Sequence, residues 1–254
     1  FHIPHRVFKR GCTVMIFYDF EVFKYDWLVV ILDMDAQEEH VIINDPDQLK
    51  AFYEAHKDDI WCGYNSRNYD QFILRAILLD FDPYDVNEWI ITKDKNGWML
   101  SNLFWKIPLN NYDVMPNPPI GLKTMEGFMG NDIRESDVDF NIQRKLTPEE
   151  LELTFKYCTH DVEQTMEVFM QKKADFDAHM ALIKAFNLPL KNISRTQAQL
   201  SALALGCSKQ DHFDEWDLQF VDTLRITKYA AVVNWFKDPV NHDYSNSLQI
   251  NVCG

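Results

Sequence analysis

The residues Thr13-Val-Met-Ile-Phe-Tyr-Asp19-Phe-Glu21-Val22 decide the first element of the fold. β-branched and aromatic side chains dominate this stretch, which is typical of a β-strand, and the apolar run favours a central strand buried on both faces. Asp19 and Glu21 are two residues apart, so a strand directs both carboxylates to the same side. Two carboxylates at the end of a buried strand repel each other, and a divalent cation between them would relieve that repulsion. The alternative is that the strand ends there and both side chains are solvated.

Two further strands and a helix follow this stretch. Residues 26–33 and 39–44 are rich in Val and Ile, so we predict that the sheet opens with three consecutive strands. Asp45-Pro46 then supplies an N-cap and a first-turn proline, which predicts the start of a helix. Further along the chain, Asn96-Gly97 favours a hairpin turn within residues 90–107.

A fourth predicted strand, residues 60–64, leads into a polar loop that begins at Asn65. The loop ends with Tyr69 and Asp70, and helical periodicity follows over residues 71–79. Asp70 therefore stands where a helix begins directly after a strand. It acts either as an N-cap of that helix or as a side chain presented at the edge of the sheet.

A long helix is predicted to begin at Thr147, which precedes Pro148 and forms a capping-box pattern with Glu150. Apolar residues then recur at helical spacing and predict one buried stripe: Leu151, Phe155, Cys158, Val162, Met166 and Phe169. Tyr157 and Asp161 are four residues apart, so they share one face of this helix, beside the stripe. They are either an ordinary amphipathic edge or a phenol and a carboxylate that hold a metal ion and orient a water.

The composition argues against several classes of function. A formal net charge of −14 speaks against a general basic coat for nucleic acid, but it is compatible with an enzyme that meets phosphates through divalent cations. With 46% hydrophobic residues, the chain has enough apolar side chains for a sizeable core. The five cysteines form no Cys-x-x-Cys pair, which argues against a disulfide framework and a structural zinc site. No apolar run is long enough for a membrane span, so we expect a cytoplasmic protein.

Three motifs with carboxylates follow one another along the chain. They are Asp19-x-Glu21 on the first strand, Asn65-x-x-x-Tyr69-Asp70 at the strand-to-helix junction, and Tyr157-x-x-x-Asp161 on the long helix. Their order and spacing resemble the three exonuclease motifs of the DEDDy class of 3′→5′ exonucleases, most of all the proofreading domains of phage-type family B DNA polymerases. The resemblance covers roughly residues 13–172, and it implies the cytoplasm of a bacterium or of a phage-infected host cell. Tyr112-Asp113 and Leu146-Thr-Pro-Glu-Glu150 are further local likenesses to these domains.

The resemblance implies an α/β fold of the RNase H-like type, with a mixed sheet whose first three strands are antiparallel and which helices flank. It also implies that two Mg²⁺ or Mn²⁺ ions are held by four carboxylates: Asp19, Glu21, Asp70 and Asp161. Tyr157 would orient the attacking water, since a phenol with a pKa near ~10 is protonated at neutral pH. A sister class has a histidine five residues before the last aspartate. Lys156 stands there in this chain, and His160 is about 100° round the helix from Asp161, so the tyrosine class fits better.

The resemblance also implies how the chain meets nucleic acid. Asn65 would contact the terminal nucleotides, and Tyr69 or Phe20 would stack near the frayed bases. The substrate would be the 3′ end of single-stranded DNA, and the products would be 5′-mononucleotides. Arg144 and Lys145 lie directly before the long helix, where they either place a cation beside bound phosphate or belong to a solvated loop.

We predict an exonuclease domain over residues 1–173 and a mainly helical extension over residues 174–254. A full polymerase continues into a palm domain with its own catalytic carboxylates, and no such motif follows residue 173. We therefore expect either the exonuclease part of a longer polymerase, with the extension leading toward the palm domain, or a free-standing nuclease. Two other functions stay open: an RNA 3′-exonuclease of the RNase D type, and an inactive nuclease fold that serves as a binding module.

Overall fold

The computed structural model describes residues 14–207, 216, 221, 223 and 225–242. The chain divides into two compact units, Phe1–Leu205 and Gly206–Gly254. Within the described residues, no helix has both the length and the apolar character that crossing a membrane would require.

One mixed sheet forms the centre of the first unit. Its strands are β1 (Met15–Val22), β2 (Trp27–Asp33), β3 (Glu38–Ile43), β4 (Ile60–Gly63) and β5 (Asn110–Asp113). Their order across the sheet is β3-β2-β1-β4-β5. β2 pairs antiparallel with both β1 and β3, whereas β4 lies parallel to both β1 and β5. The three predicted antiparallel strands are confirmed, and the five-stranded mixed sheet with its flanking helices is compatible with an RNase H-like fold.

Helices of the first unit connect and cover these strands. Among the described residues of that unit, the α-helices are α1 (Pro46–His56), α2 (Asp70–Leu78), α3 (Pro83–Asn87), α4 (Leu122–Met129), α5 (Pro148–Gln171), α6 (Lys173–Ala185) and α7 (Gln197–Ala204). Its shorter 3₁₀ segments are Gly97–Met99, Asn102–Lys106 and Leu190–Ser194, and Glu88–Thr92 is a π-helical turn. The described residues of the second unit include α8 (Ala230–Lys237) and the 3₁₀ segment Pro239–Asn241.

The alternation of side chains along β1 divides the core into two layers. Tyr18 and Phe20 pack into the apolar layer that also holds Trp61 and the core residues of α2. Phe17 points to the opposite face, where it packs in a layer with Cys158 of α5. Because successive residues of a strand alternate between faces, Asp19 and Glu21 lie on the side of Phe17, toward α5. β1 thus carries its two carboxylates to the helix that bears the third sequence motif.

α5 begins as the sequence predicts. The Thr147 hydroxyl accepts a hydrogen bond from the Glu150 N–H at 3.2 Å, and the Glu150 carboxylate accepts one from the Thr147 N–H at 2.8 Å. Pro148 occupies the first helical position. This reciprocal capping box and the buried stripe around Cys158 and Val162 fix the helix against β1 and β2.

The hairpin predicted within residues 90–107 is wrong. The structure has a π-helical turn and two 3₁₀ segments there instead. Gly97 is not in a hairpin turn but is buried against the ring of Phe72. The two residues are so close that an added Cβ at position 97 would lie only 2.4 Å from a ring carbon. The indole N–H of Trp89 also donates to the Asn96 carbonyl at 3.1 Å. Packing on α2 therefore overrides the local turn preference of Asn-Gly.

The helical segments between α5 and the end of the first unit, α6, Leu190–Ser194 and α7, pack on the sheet of that unit. The Ser194 hydroxyl accepts a hydrogen bond from the Asn111 N–H of β5 at 3.2 Å. Ile183 and Ile193 share an apolar cluster with Ile60 of β4. The first compact unit therefore runs past the predicted domain boundary at residue 173 and ends at Leu205. The boundary of an exonuclease domain stays a prediction, and part of the predicted helical extension lies outside the described residues.

Candidate functional site

The two carboxylates of β1 meet the thiol of α5. Cys158 donates toward Oδ2 of Asp19 and toward its carbonyl oxygen, each at 3.4 Å. Ligand-capable atoms of Asp19, Glu21 and Cys158 lie within 4.8 Å of one another. Glu21 is only 8% exposed. The first motif thus presents two carboxylates that lie close together, one of them buried.

Asp70, from the second motif, also contacts strand β1. It is the first residue of α2, and the N-cap position belongs to Tyr69. The Oδ1 atom of Asp70 accepts a hydrogen bond from the Phe20 N–H at 3.1 Å, so its carboxylate lies beside the backbone between Asp19 and Glu21. Asp70 is 2% exposed, and burial raises its pKa to about 7. The structure therefore presents the Asp70 side chain at β1 rather than as an N-cap.

Asp113 at the end of β5 holds the loop that delivers Asp70. Its carboxylate accepts hydrogen bonds from the Asn65 N–H at 3.0 Å and from the Arg67 N–H at 2.9 Å. Asn65 has a φ of 57°, a left-handed conformation that asparagine tolerates better than most residues. The likeness noted at Tyr112-Asp113 therefore falls on a residue that orders the second motif.

Asp161 and Tyr157 of α5 form the third part of the site, with a lysine that the sequence interpretation missed. The ammonium of Lys123, on α4, is paired with Oδ1 of Asp161. It also lies 4.6 Å from the centroid of the Tyr157 ring. Burial raises the pKa of the Tyr157 phenol, and the negative charge of Asp161 raises it further, so the phenol is a hydrogen-bond donor at neutral pH.

Lys123 also forms an ion pair with a buried glutamate of its own helix, α4. Its ammonium lies 3.2 Å from Oε1 of Glu126, which is fully buried. Glu126 follows Met125 on the face of α4 that packs into the core, where Leu122 and Met129 also contact the apolar layer of α5. An acidic residue within an apolar helical stripe is the sequence signal for a buried ion pair, and it identifies Lys123 as the partner three residues earlier.

The four carboxylates share one electrostatic environment. Burial raises the pKa of Asp19 and of Glu21, and repulsion from Asp70 and Asp161 raises both further. Burial also raises the pKa of Asp161, although Lys123 opposes that rise. Hard divalent cations prefer oxygen ligands, and their charge would relieve this repulsion. The donor set therefore fits Mg²⁺ or Mn²⁺.

The residues predicted to contact nucleic acid differ in how exposed their side chains are. The ring of Phe20 is 3% exposed and packs against Trp27 on the face of β1 opposite the carboxylates, so it is not available to stack on a base. Tyr69 is partly buried beside Asp70 and donates its hydroxyl proton to Asn87 at 2.8 Å. Asn65 is partly exposed. We therefore keep Asn65 and Tyr69, and not Phe20, as candidate contacts.

The two basic residues before α5 are exposed. Arg144 forms a two-pronged pair with Glu150, with nitrogen–oxygen distances of 2.7 and 2.8 Å, and so supports the start of the helix. Lys145 lines an open cavity of about 570 Å³ together with Tyr25 and Phe81. Of the two, Lys145 has the freer charge for a phosphate.

The chain thus has an α/β fold, and a cluster of acidic side chains lies at strand β1. The chain matches no protein-family model and no curated protein. Among solved structures, it is similar to Phi29 DNA polymerase complexed with primer-template DNA, in the post-translocation binary complex, with 15% identity and a TM-score of 0.38. This weak similarity covers 69% of the present chain and 34% of the polymerase, so the chain spans about a third of that protein's length.

Proposed function

We propose that the chain is a metal-dependent 3′→5′ exonuclease that removes 5′-mononucleotides from the 3′ end of single-stranded DNA. The observation that carries this proposal is the convergence of four carboxylates from β1, α2 and α5, each with a raised pKa: Asp19, Glu21, Asp70 and Asp161. Two Mg²⁺ or Mn²⁺ ions bound by these residues would activate the attacking water and stabilise the leaving 3′-oxygen. Acidic side chains in such numbers are costly in a protein interior unless cations join them.

Tyr157 and Lys123 supply the remaining chemistry from the chain itself. The protonated phenol of Tyr157 donates a hydrogen bond and so orients the attacking water rather than removing its proton. The ammonium of Lys123 holds Asp161 in place and lies over the Tyr157 ring, which restricts both side chains. Because both side chains are already restricted, less conformational entropy is lost when the transition state forms.

Asn65 and Tyr69 border the carboxylates at the start of α2, where we place the terminal nucleotide. The partly exposed amide of Asn65 offers hydrogen bonds to it, and Lys145 offers a charge for a more distant phosphate. We further propose that this activity is the proofreading part of a DNA polymerase whose polymerase domain belongs to the same longer chain. That step rests on the likeness of the three sequence motifs.

Substitution of single groups tests this function. The rate of mononucleotide release from single-stranded DNA with Mg²⁺ should fall by about a hundredfold or more in Asp19→Asn and Asp161→Asn, because each removes a ligand. In Tyr157→Phe the rate should fall at least tenfold, or ~1.4 kcal/mol in transition-state free energy, while Mg²⁺ binding is unchanged. Asp137→Asn, at an exposed carboxylate, is the matched control and should keep the full rate. Full activity in Asp161→Asn would contradict the proposal.

A further inference from the structure

A second set of ligand-capable atoms lies between α4 and α5, beside the carboxylates of β1. Glu126, His160 and Asp161 each contribute one such atom, and these atoms lie within 4.8 Å of one another. The three residues are 0%, 7% and 8% exposed. This set differs from the predicted Mg²⁺ ligands because it contains an imidazole and shares only Asp161 with them.

Two atoms of this set are buried without a hydrogen-bond partner. They are Oε2 of Glu126 and Nε2 of His160, and neither forms a hydrogen bond with a described residue. They lie 3.5 Å apart, which makes at most a long ion pair when the imidazole is protonated. Burying polar atoms without partners costs free energy, so two such atoms aimed at each other point to a shared ligand.

Lys123 is the cation that now contacts this set. Its ammonium is paired with Asp161 and with the other oxygen of Glu126, and it leaves Nε2 of His160 without a hydrogen bond. The Lys123 side chain is 24% exposed, whereas that of Glu126 is 0% exposed. The lysine therefore has a route toward solvent that the glutamate lacks, and an ion could replace the ammonium without unfolding α4.

We propose that Glu126, His160 and Asp161 form a zinc-binding site, at which Zn²⁺ replaces the ammonium of Lys123. One imidazole nitrogen and two carboxylate oxygens are a donor set that zinc accepts readily, with open positions left for water. Zn²⁺ binds mixed nitrogen and oxygen ligands more tightly than Mn²⁺, and Mg²⁺ prefers oxygen ligands alone. Zinc at this site draws Asp161 away from the Mg²⁺ ligands and so inhibits a Mg²⁺-dependent reaction there.

Calorimetric titration of the 254-residue chain with zinc, in excess Mg²⁺, tests the site directly. We expect one tight zinc ion whose affinity falls by about tenfold or more in His160→Gln and in Glu126→Gln. Lys123→Met should bind zinc more tightly than the wild type, because the competing ammonium is gone. His179→Gln is the matched control, since His179 is equally buried, at 8% exposure, and lies outside the set.

The result is separable from the proposed exonuclease activity. Asp19→Asn should lose Mg²⁺-dependent cleavage but keep its zinc affinity, and the titration itself requires no cleavage. Should His160→Gln fail to fold by circular dichroism, Glu126→Gln and Lys123→Met decide the question. Zinc affinity that is unchanged in Glu126→Gln and Lys123→Met, or that is lost in Cys158→Ser instead, would overturn the proposal.

Discussion

Replacing Asp70 by asparagine should stabilise the metal-free chain at alkaline pH. The buried carboxyl has an ordinary pKa of 3.8 when the chain is unfolded and a pKa of about 7 when it is folded. Between these values the folded chain holds a proton that the unfolded chain has lost. The free energy of unfolding therefore falls as the pH rises from about 4 to about 7, and it stays reduced above that range. Asparagine has no charge, and its Oδ1 still accepts the Phe20 N–H.

The magnitude follows from the size of this pKa difference. A rise of the pKa from 3.8 to about 7 costs the folded chain ~4 kcal/mol at pH 8. At pH 5.5 the same linkage gives about 2 kcal/mol, so the advantage of Asp70→Asn should grow by roughly 2 kcal/mol between pH 5.5 and pH 8. Saturating Mg²⁺ should remove most of this advantage, because the ions stabilise the wild-type carboxylate.

Urea unfolding followed by circular dichroism measures these free energies, with EDTA in one series and Mg²⁺ in the other. Asp137→Asn changes an exposed carboxyl and serves as the matched control, with the same stability as the wild type at both pH values. A difference between Asp70→Asn and the wild type that is the same at pH 5.5 and pH 8 would refute the reasoning. A wild-type chain that gains stability over this range relative to Asp70→Asn would refute it as well.

Two further predictions concern the fold. Gly97→Ala should lower the free energy of unfolding by about 1–3 kcal/mol, because its Cβ would lie 2.4 Å from a ring carbon of Phe72. Gly127→Ala, inside α4, where the nearest atom lies 3.6 Å from the added Cβ, should not lower thermal stability, and an equal loss in both variants would contradict this account. Thr147→Ala should cost ~1 kcal/mol by removing the N-cap hydroxyl of α5. Thr147→Ser should restore most of that stability in the same thermal melts, and a failure to do so would argue against the cap.

Local patterns in the sequence predicted the elements that carry the carboxylates. The run of β-branched and aromatic residues identified β1, and the capping box identified the start of α5, because both signals depend on neighbouring residues. The hairpin prediction failed where a distant contact decides the conformation: Gly97 is placed by the ring of Phe72. Sequence neighbours carry no information about such a contact.

Among the residues of the site, too, local sequence patterns were informative and distant contacts were not. Strand alternation alone places Phe20 on the face opposite Asp19, so its burial in the core could have been predicted from the sequence. Lys123 could not have been assigned to Asp161, since the two residues are 38 positions apart and meet only through the packing of α4 on α5. Glu126 within an apolar stripe is a local indication of the Lys123–Glu126 ion pair, but it does not indicate the contact of Lys123 with Asp161.

The most direct test of the central claim is cleavage of a 5′-labelled single-stranded DNA oligonucleotide by the 254-residue chain with Mg²⁺. We predict a ladder of products that shortens from the 3′ end, is absent with EDTA, and is much weaker on a matched RNA. A ladder on RNA alone would assign the chain to RNA trimming. The absence of shortening with either Mg²⁺ or Mn²⁺ would contradict the account, and so would cleavage that persists in EDTA.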